Sequence, residues 1–253
     1  MENEKLLSGR LNGKRILIIG SEGGIGKACV EILVKKGAVV VASDLKEQGG
    51  SRAAFYEPCD VTDSHSVDKM FQEVERKLGG LDGFVYSSGL GSSMGFHETT
   101  LFHFDRIMAV NLRGAFYTSQ KAVQLMGQGG SIVLIASQKG LCGSTGSLAY
   151  NASKGGMVIM GRSMALELGA MNIRVNCICP GATETPMFYT DMSNQPDPVA
   201  ARKKVAASNP LNQITKPEQI ATGVAYVLSD AAAFMTGTEL VIDGGHIAGV
   251  RNL

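Results

Sequence analysis

The 253-residue chain has no dominant charge: 24 Lys and Arg stand against 23 Asp and Glu, a formal net charge of +1. Without a basic field, the sequence offers no broad attraction for nucleic acid or an anionic membrane surface. No segment approaches the roughly 18 consecutive apolar residues that a membrane-spanning helix requires. The opening Met1-Glu2-Asn3-Glu4-Lys5 fits neither a secretory signal nor a transit peptide, so a soluble, cytoplasmic protein is expected. Cysteine is sparse and odd in number (Cys29, Cys59, Cys142, Cys177 and Cys179), which argues against a disulfide framework and for a reducing compartment. Cys177 and Cys179 are expected to project to opposite faces of a strand, and no metal site is expected. Fixed-period repeats and low-complexity tracts are also missing.

What is present is ordinary globular material, 44% hydrophobic and 19% charged, enough for one large core. Apolar runs rich in β-branched residues at Arg15 to Ile19, Ala38 to Ser43, Ala53 to Tyr56, Gly83 to Ser87, Ser131 to Ala136, Ile173 to Ile178 and Leu240 to Ile242 read as seven strands. Helix-compatible stretches lie between them, at Ile25 to Lys36, Ser64 to Leu78, Leu101 to Met126, Ala149 to Ala170 and Pro217 to Leu228. The alternation predicts a single α/β domain over 1–253, a doubly wound parallel seven-stranded sheet of Rossmann type with helices on both faces. Residues 187–212, from Met187 to Asn212, are polar and poorly periodic, and read as a substrate lid.

Gly20-Ser21-Glu22-Gly23-Gly24-Ile25-Gly26 follows the first strand and opens the first helix. Glycines there allow a tight turn and let backbone amides at a helix N-terminus approach a pyrophosphate; Gly20, Gly24, Ile25 and Gly26 are the candidates. Asp44, eighteen residues after Gly26, stands where a carboxylate can accept from adenosine ribose hydroxyls. A 2′-phosphate would meet that charge with no arginine in the loop and only Lys46 nearby, which favours NAD over NADP. Asp60 and Val61, after the third strand, are candidate adenine contacts. Tyr150 and Lys154 sit one helical turn apart on one face, so a cation can favour the phenolate and lower the phenol's pKa. An i, i+4 pair of this kind also arises as simple packing with a snorkelling lysine.

From the first strand to Asp243-Gly244-Gly245 the chain resembles the short-chain dehydrogenase/reductase family. Ser137, thirteen residues before Tyr150, falls at the family's catalytic serine, and Asn111 in Val110-Asn111-Leu112 at its fourth active-site position. Pro180, Gly181, Thr183 and Thr185 resemble the family's nicotinamide-side loop, with Thr185 a candidate ligand for the carboxamide or pyrophosphate. The resemblance implies that Tyr150 exchanges a proton with the substrate oxygen while Ser137 holds it. Lys154 would lower the phenol's pKa and bind the nicotinamide ribose, and Asn111 would support a water-linked relay to that lysine. It also implies an NAD-dependent oxidoreductase interconverting a secondary alcohol and a ketone, and a homotetramer. A catalytically silent NAD-binding regulator and an epimerase or dehydratase using the same Tyr and Lys are the competing readings.

Two positions depart from the family pattern: Ile19 where threonine is frequent, and Tyr86-Ser87-Ser88-Gly89 in place of Asn-Asn-Ala-Gly. The loop after the fourth strand must therefore be braced in another way. The substrate pocket is expected to draw on Ser92 to Phe96, Gly140 to Thr145, Met187 to Met192 and His246, mostly small or apolar, which suits a neutral cyclic or hydrophobic small molecule. His97 is expected on the surface or in a structural role, and Cys142 as a small buried residue. The helix after Tyr150 is expected to be buried nearly all round, with a partner subunit as one cover.

Overall fold

In the computed structural model, residues 11–91 and 93–249 are described. Seven strands form one sheet: β1 (Arg15–Ile19), β2 (Val39–Asp44), β3 (Phe55–Pro58), β4 (Gly83–Tyr86), β5 (Gly130–Ile135), β6 (Ile173–Pro180) and β7 (Glu239–Ile242). Their order is β3-β2-β1-β4-β5-β6-β7, and every pairing is parallel. The helices are α1 (Gly24–Lys35), α2 (Ser64–Leu78), α3 (Leu101–Met108), α4 (Ala115–Met126), α5 (Leu148–Leu168), α6 (Pro186–Ser193), α7 (Pro198–Ala207) and α8 (Pro217–Leu228). None of the described helices is long and apolar enough to cross a membrane.

Strand alternation sends each sheet face into its own core. Leu17 and Ile19 of β1 join Val67, Met70, Phe71, Ala115, Ala122, Met157 and Val158 from α2, α4 and α5. Ile16 and Ile18 face the other way, onto Cys29, Val30 and Leu33 of α1 and Ile220, Ala221 and Val224 of α8. Side chains one residue apart on a pleated strand point to opposite faces, so the two apolar helix layers are specified by one continuous apolar strand. The same rule corrects the cysteine expectation: Cys177 and Cys179 lie two apart, share a face and sit in the same core cluster. Among the described residues no group of three or more His, Cys, Asp or Glu could hold a metal ion.

Two further expectations change. The single helix expected over Leu101 to Met126 is broken by a π-helical turn, Ala109–Gly114, that separates α3 from α4. The expected irregular lid contains α6 and α7, each opened by a capping side chain and a proline. Thr185 accepts from the Phe188 amide at 3.2 Å, and Asp197 accepts from the Val199 and Ala200 amides at 3.1 and 2.9 Å. The α5 helix also leaves Ile159 57% exposed, so within this chain it is not buried all round.

Candidate active site

Strand order reverses at β1, whose neighbours are β2 and β4, and the crevice at the carboxyl ends of the strands opens beside it. The cleft encloses about 620 Å³ and is lined chiefly by apolar surface from the glycine loop, the ends of β5 and β6, α6 and α7.

Each glycine of the first loop has its own steric reason. Gly20 has φ +84°, and a Cβ there would lie 2.4 Å from the Ser88 amide nitrogen. A Cβ on Gly26 would stand 1.9 Å from the Gly20 carbonyl oxygen, and one on Gly24 would stand 2.6 Å from the Thr185 methyl. Gly23 begins α1 with no side-chain cap, and Gly23, Gly24 and Ile25 face the cleft, so the amide-bearing N-terminus of a helix is directed at it. The carboxylate of Asp44 holds this loop: Oδ2 accepts from the Glu22 amide at 2.9 Å, and Oδ1 from the Leu45 amide at 2.8 Å. Ser21 Oγ and Glu22 Oε1 in the loop, and Gln138 Oε1 in the cleft wall, are buried without a partner among the described residues. Uncapped amides, a cradle that a Cβ would fill and unpartnered buried oxygens fit a dinucleotide.

On the other wall, Ser137 follows β5 in extended conformation (φ −169°), and its Oγ accepts from the Lys139 amide at 3.1 Å. It faces Tyr150, whose phenolate it favours. Lys154 Nζ donates to the Ile135 carbonyl at 2.7 Å and lies 5.8 Å from the centre of the Tyr150 ring. Burial pushes the Lys154 ammonium down to about 8. The expected lowering of the Tyr150 phenol by Lys154 is not what dominates: burial raises the phenol, and the Ser137 hydroxyl pulls against that rise. Tyr150 is thereby held as the protonated phenol near neutrality.

Asn111 lies in the π-helical turn with its side chain fully committed. Nδ2 donates to the Leu90 carbonyl and to Ser153 Oγ, both at 3.0 Å, and Oδ1 accepts from the Leu90 amide at 2.8 Å. It ties the loop after β4 to α5 and leaves its amide no free donor for a relay. At the position of the family's first asparagine stands Tyr86, fully buried, whose hydroxyl donates to the Val110 carbonyl at 2.5 Å.

Of the sequence candidates, Gly24, Ile25, Ser137, Tyr150, Lys154, Pro180, Gly181, Thr183 and Thr185 line the cleft together. Gly20, Gly26 and Asn111 support it from behind. Asp44 reaches it through Glu22. Asp60 is occupied with its own turn, its Oδ1 accepting from the Thr62 amide and hydroxyl at 2.8 and 2.7 Å, and Val61 packs against Gly114. Thr183 donates to the Gly181 carbonyl at 3.0 Å. Of the expected substrate walls, Met187, Phe188, Asp191, Met192 and His246 line the cleft, whereas 93–96 and 140–145 lie outside its lining and Ser92 lies outside the described residues. His97 is on the surface, edge-on to Phe96 at 5.2 Å, and Cys142 is exposed rather than buried. Sequence reasoning missed Gln138 and Lys139 as cleft residues, while Val205 and Ser208 enter it from the expected lid segment. The charges of Lys139 and Asp191 also depart from the expected small or apolar walls.

A family model described as enoyl-(acyl carrier protein) reductase matches residues 19–246. The chain belongs to the short-chain dehydrogenase/reductase family, oxidoreductases acting on CH–OH groups. The cyclopentanol dehydrogenase of Comamonas sp. is 31% identical over 256 residues, covering 95% of this chain and 99% of that protein. The 3-oxoacyl-[acyl-carrier-protein] reductase FabG of Thermotoga maritima is 34% identical, covering 93% and 98%. The crystal structure of levodione reductase superposes with a TM-score of 0.91 at 30% identity, covering 95% of this chain and all of that one. One further curated relative is longer, and the chain spans 43% of it.

Proposed function

We propose that the protein is an NAD(H)-dependent oxidoreductase interconverting a secondary alcohol and a ketone on a compact, largely apolar and cyclic skeleton. The observation that carries the reading is the convergence of Ser137, Tyr150 and Lys154 on one wall of a cleft whose opposite wall is the uncapped glycine loop. The cyclopentanol in the name of the Comamonas relative supports the cyclic skeleton. Asp44, with no arginine in the loop, supports NAD over NADP.

A bound nicotinamide supplies the site that accepts or donates hydride. Tyr150 acts at its hydroxyl: as the phenol it gives its proton to the substrate oxygen during reduction, and as the phenolate, its proton first lost to solvent, it takes one from the alcohol during oxidation. Ser137 hydrogen-bonds the same oxygen and fixes its place beside the phenol. Lys154, positioned by the Ile135 carbonyl, binds the nicotinamide ribose and places positive charge beside the ring as proton transfer builds negative charge on the phenolic oxygen. Asn111 keeps the loop after β4 and α5 in register. Gly20, Gly24, Ile25 and Gly26 shape the pyrophosphate seat, flanked by Pro180, Gly181, Thr183 and Thr185. Asp60, whose carboxylate closes its own turn, and Val61 lie outside the cleft lining and are assigned no cofactor contact.

The test is Tyr150→Phe assayed at the NADH absorbance across secondary alcohols and ketones. Turnover is expected to fall by at least about a hundredfold, within the usual range for a lost acid-base group, with NAD binding retained. A mutant with wild-type kcat on a good substrate refutes the assignment. Exposed apolar side chains on α3, α4 and α5, including Phe102 at 78%, Phe116 at 50% and Ile159 at 57%, support a homotetramer, which sedimentation measures directly.

A further inference from the structure

We infer that Lys139 is a specificity-determining residue of this site, and that the alcohol or ketone it selects carries a carboxylate. The inference rests on the proposed alcohol and ketone chemistry and narrows its substrate class. Lys139 lines the cleft and is partly buried, yet among the described residues it has no carboxylate partner. Its Nζ meets one acceptor, the Ser147 hydroxyl, at 3.1 Å. An ammonium has three donors, and a partly desolvated one with a single neutral acceptor is left under-compensated. The other cleft lysines stand elsewhere: Lys154 is on the Ile135 carbonyl, and Lys46 lies at the glycine-loop end, two residues past Asp44.

The position of Lys139 connects it to the chemistry. Its backbone amide donates to Ser137 Oγ, while its side chain reaches Ser147, three residues before Tyr150. The cation therefore belongs to the wall that carries both groups assigned to the reacting oxygen. Burial lowers the ammonium's pKa, and the negative charge of Asp191 on α6 opposes that fall, which favours retention of the charge. Asp191 makes no ion pair with Lys139 among the described residues; its Oδ1 faces Ser93 Oγ at 3.4 Å. One fixed negative charge facing the same space favours a monoanion over a phosphate. The remaining surface is mainly apolar, so the skeleton between the two polar ends is hydrocarbon.

The experiment compares 4-hydroxycyclohexanecarboxylate with its methyl ester, in wild type, Lys139→Met and Lys139→Arg. Wild type is expected to prefer the acid. Lys139→Met is expected to lower the acid-to-ester ratio of kcat/KM by about 10- to 150-fold, mainly through KM, the size of a lost charge-assisted hydrogen bond. Lys139→Arg is expected to restore most of it. A purely structural role would depress both substrates together and leave the ratio unchanged, so a ratio within about threefold of wild type overturns the inference, as does a wild type that prefers the ester. In parallel, cyclohexanecarboxylate is added to each protein with NAD present, and thermal melting is followed. A rise in wild type that is absent in Lys139→Met supports the inference, and equal rises, or none, oppose it. If neither alcohol is oxidised, the alcohol-dehydrogenase reading fails on its own, and the melting comparison still decides Lys139.

Discussion

Replacing Gly26 and Gly23 with alanine, one at a time, separates the packing role of the glycine loop from its binding role. A Cβ at Gly26 would stand 1.9 Å from the Gly20 carbonyl oxygen, about 1.5 Å short of ordinary contact, and 2.8 Å from its carbon, both backbone. Neither atom can rotate away, so β1 and α1 must move apart at a place where both are buried. Overpacking costs about 1–3 kcal/mol in general, and a backbone obstacle puts this case near about 3 kcal/mol. For a domain of this size each kcal/mol lowers Tm by about 2–4 °C, so Gly26→Ala should melt about 6–12 °C below wild type without any ligand. At Gly23 the nearest atom to an added Cβ is 3.5 Å away, and the backbone (φ −73°, ψ 165°) suits alanine. Gly23→Ala should therefore melt at or slightly above wild type, with a gain of up to about 1 kcal/mol from the restricted unfolded chain. Its methyl faces the cleft, and NAD affinity should fall. Calorimetric melting without NAD, then NADH titration by fluorescence, reads the two effects apart. Equal melting of Gly26→Ala and wild type, or equal destabilisation by both alanines, would refute the close-approach argument.

At Asp44, the charge and the loop brace can also be separated. Asp44→Asn keeps an acceptor for the Glu22 amide while removing the charge; at about 5 Å and an effective dielectric of about 40, that charge opposes a 2′-phosphate by about 2.5–3 kcal/mol. The kcat/KM ratio of NADPH to NADH should rise roughly 70- to 150-fold, and an unchanged ratio removes Asp44 from cofactor selection. Lys154 has its folded pKa lowered to about 8 from 10.5, so burying its charge costs stability below that range. The unfolded chain binds the extra proton between the two values, and stability therefore rises with pH through that window. Wild type should gain stability relative to Lys154→Met between pH 8 and 10.5 in urea titrations, and a constant difference would contradict the buried ammonium.

The sheet and the cleft wall of Ser137, Tyr150 and Lys154 were legible in the sequence because each depends on local pattern. Apolar runs of strand length separated by amphipathic stretches admit few architectures. Tyr150 and Lys154 need only one helical turn to meet, and the glycine loop needs only a strand before it and a helix after it. Strand ends were displaced by one or two residues, as at β3, where Ala53 to Tyr56 became Phe55–Pro58, because pairing with β2 rather than composition sets where a short edge strand begins. The segment read as irregular was signposted after all. Thr185-Pro186 and Asp197-Pro198 are each a capping side chain followed by proline at the first helical position, and those start signals outweigh the weak apolar period of the helices they open.

What lay beyond sequence reach was set by contacts between distant segments. An unbroken helix pattern runs through Leu101 to Met126, and nothing in its composition marks a π-helical turn at Ala109–Gly114. The cause lies elsewhere. Tyr86, at the end of β4, drives its hydroxyl onto the Val110 carbonyl, and a Cβ at Gly114 would come within 2.7 Å of that oxygen. A wide turn lets a carbonyl leave the helical ladder for an outside donor, and such turns recur at functional sites. Asn111 is the next residue, and from that turn it reaches both Leu90 and Ser153, joining the loop after β4 to the helix that carries Tyr150 and Lys154. Tyr86 and Asn111 thus act on the same turn: the buried phenol bonds the Val110 carbonyl, and the asparagine beside it holds the loop after β4 against α5.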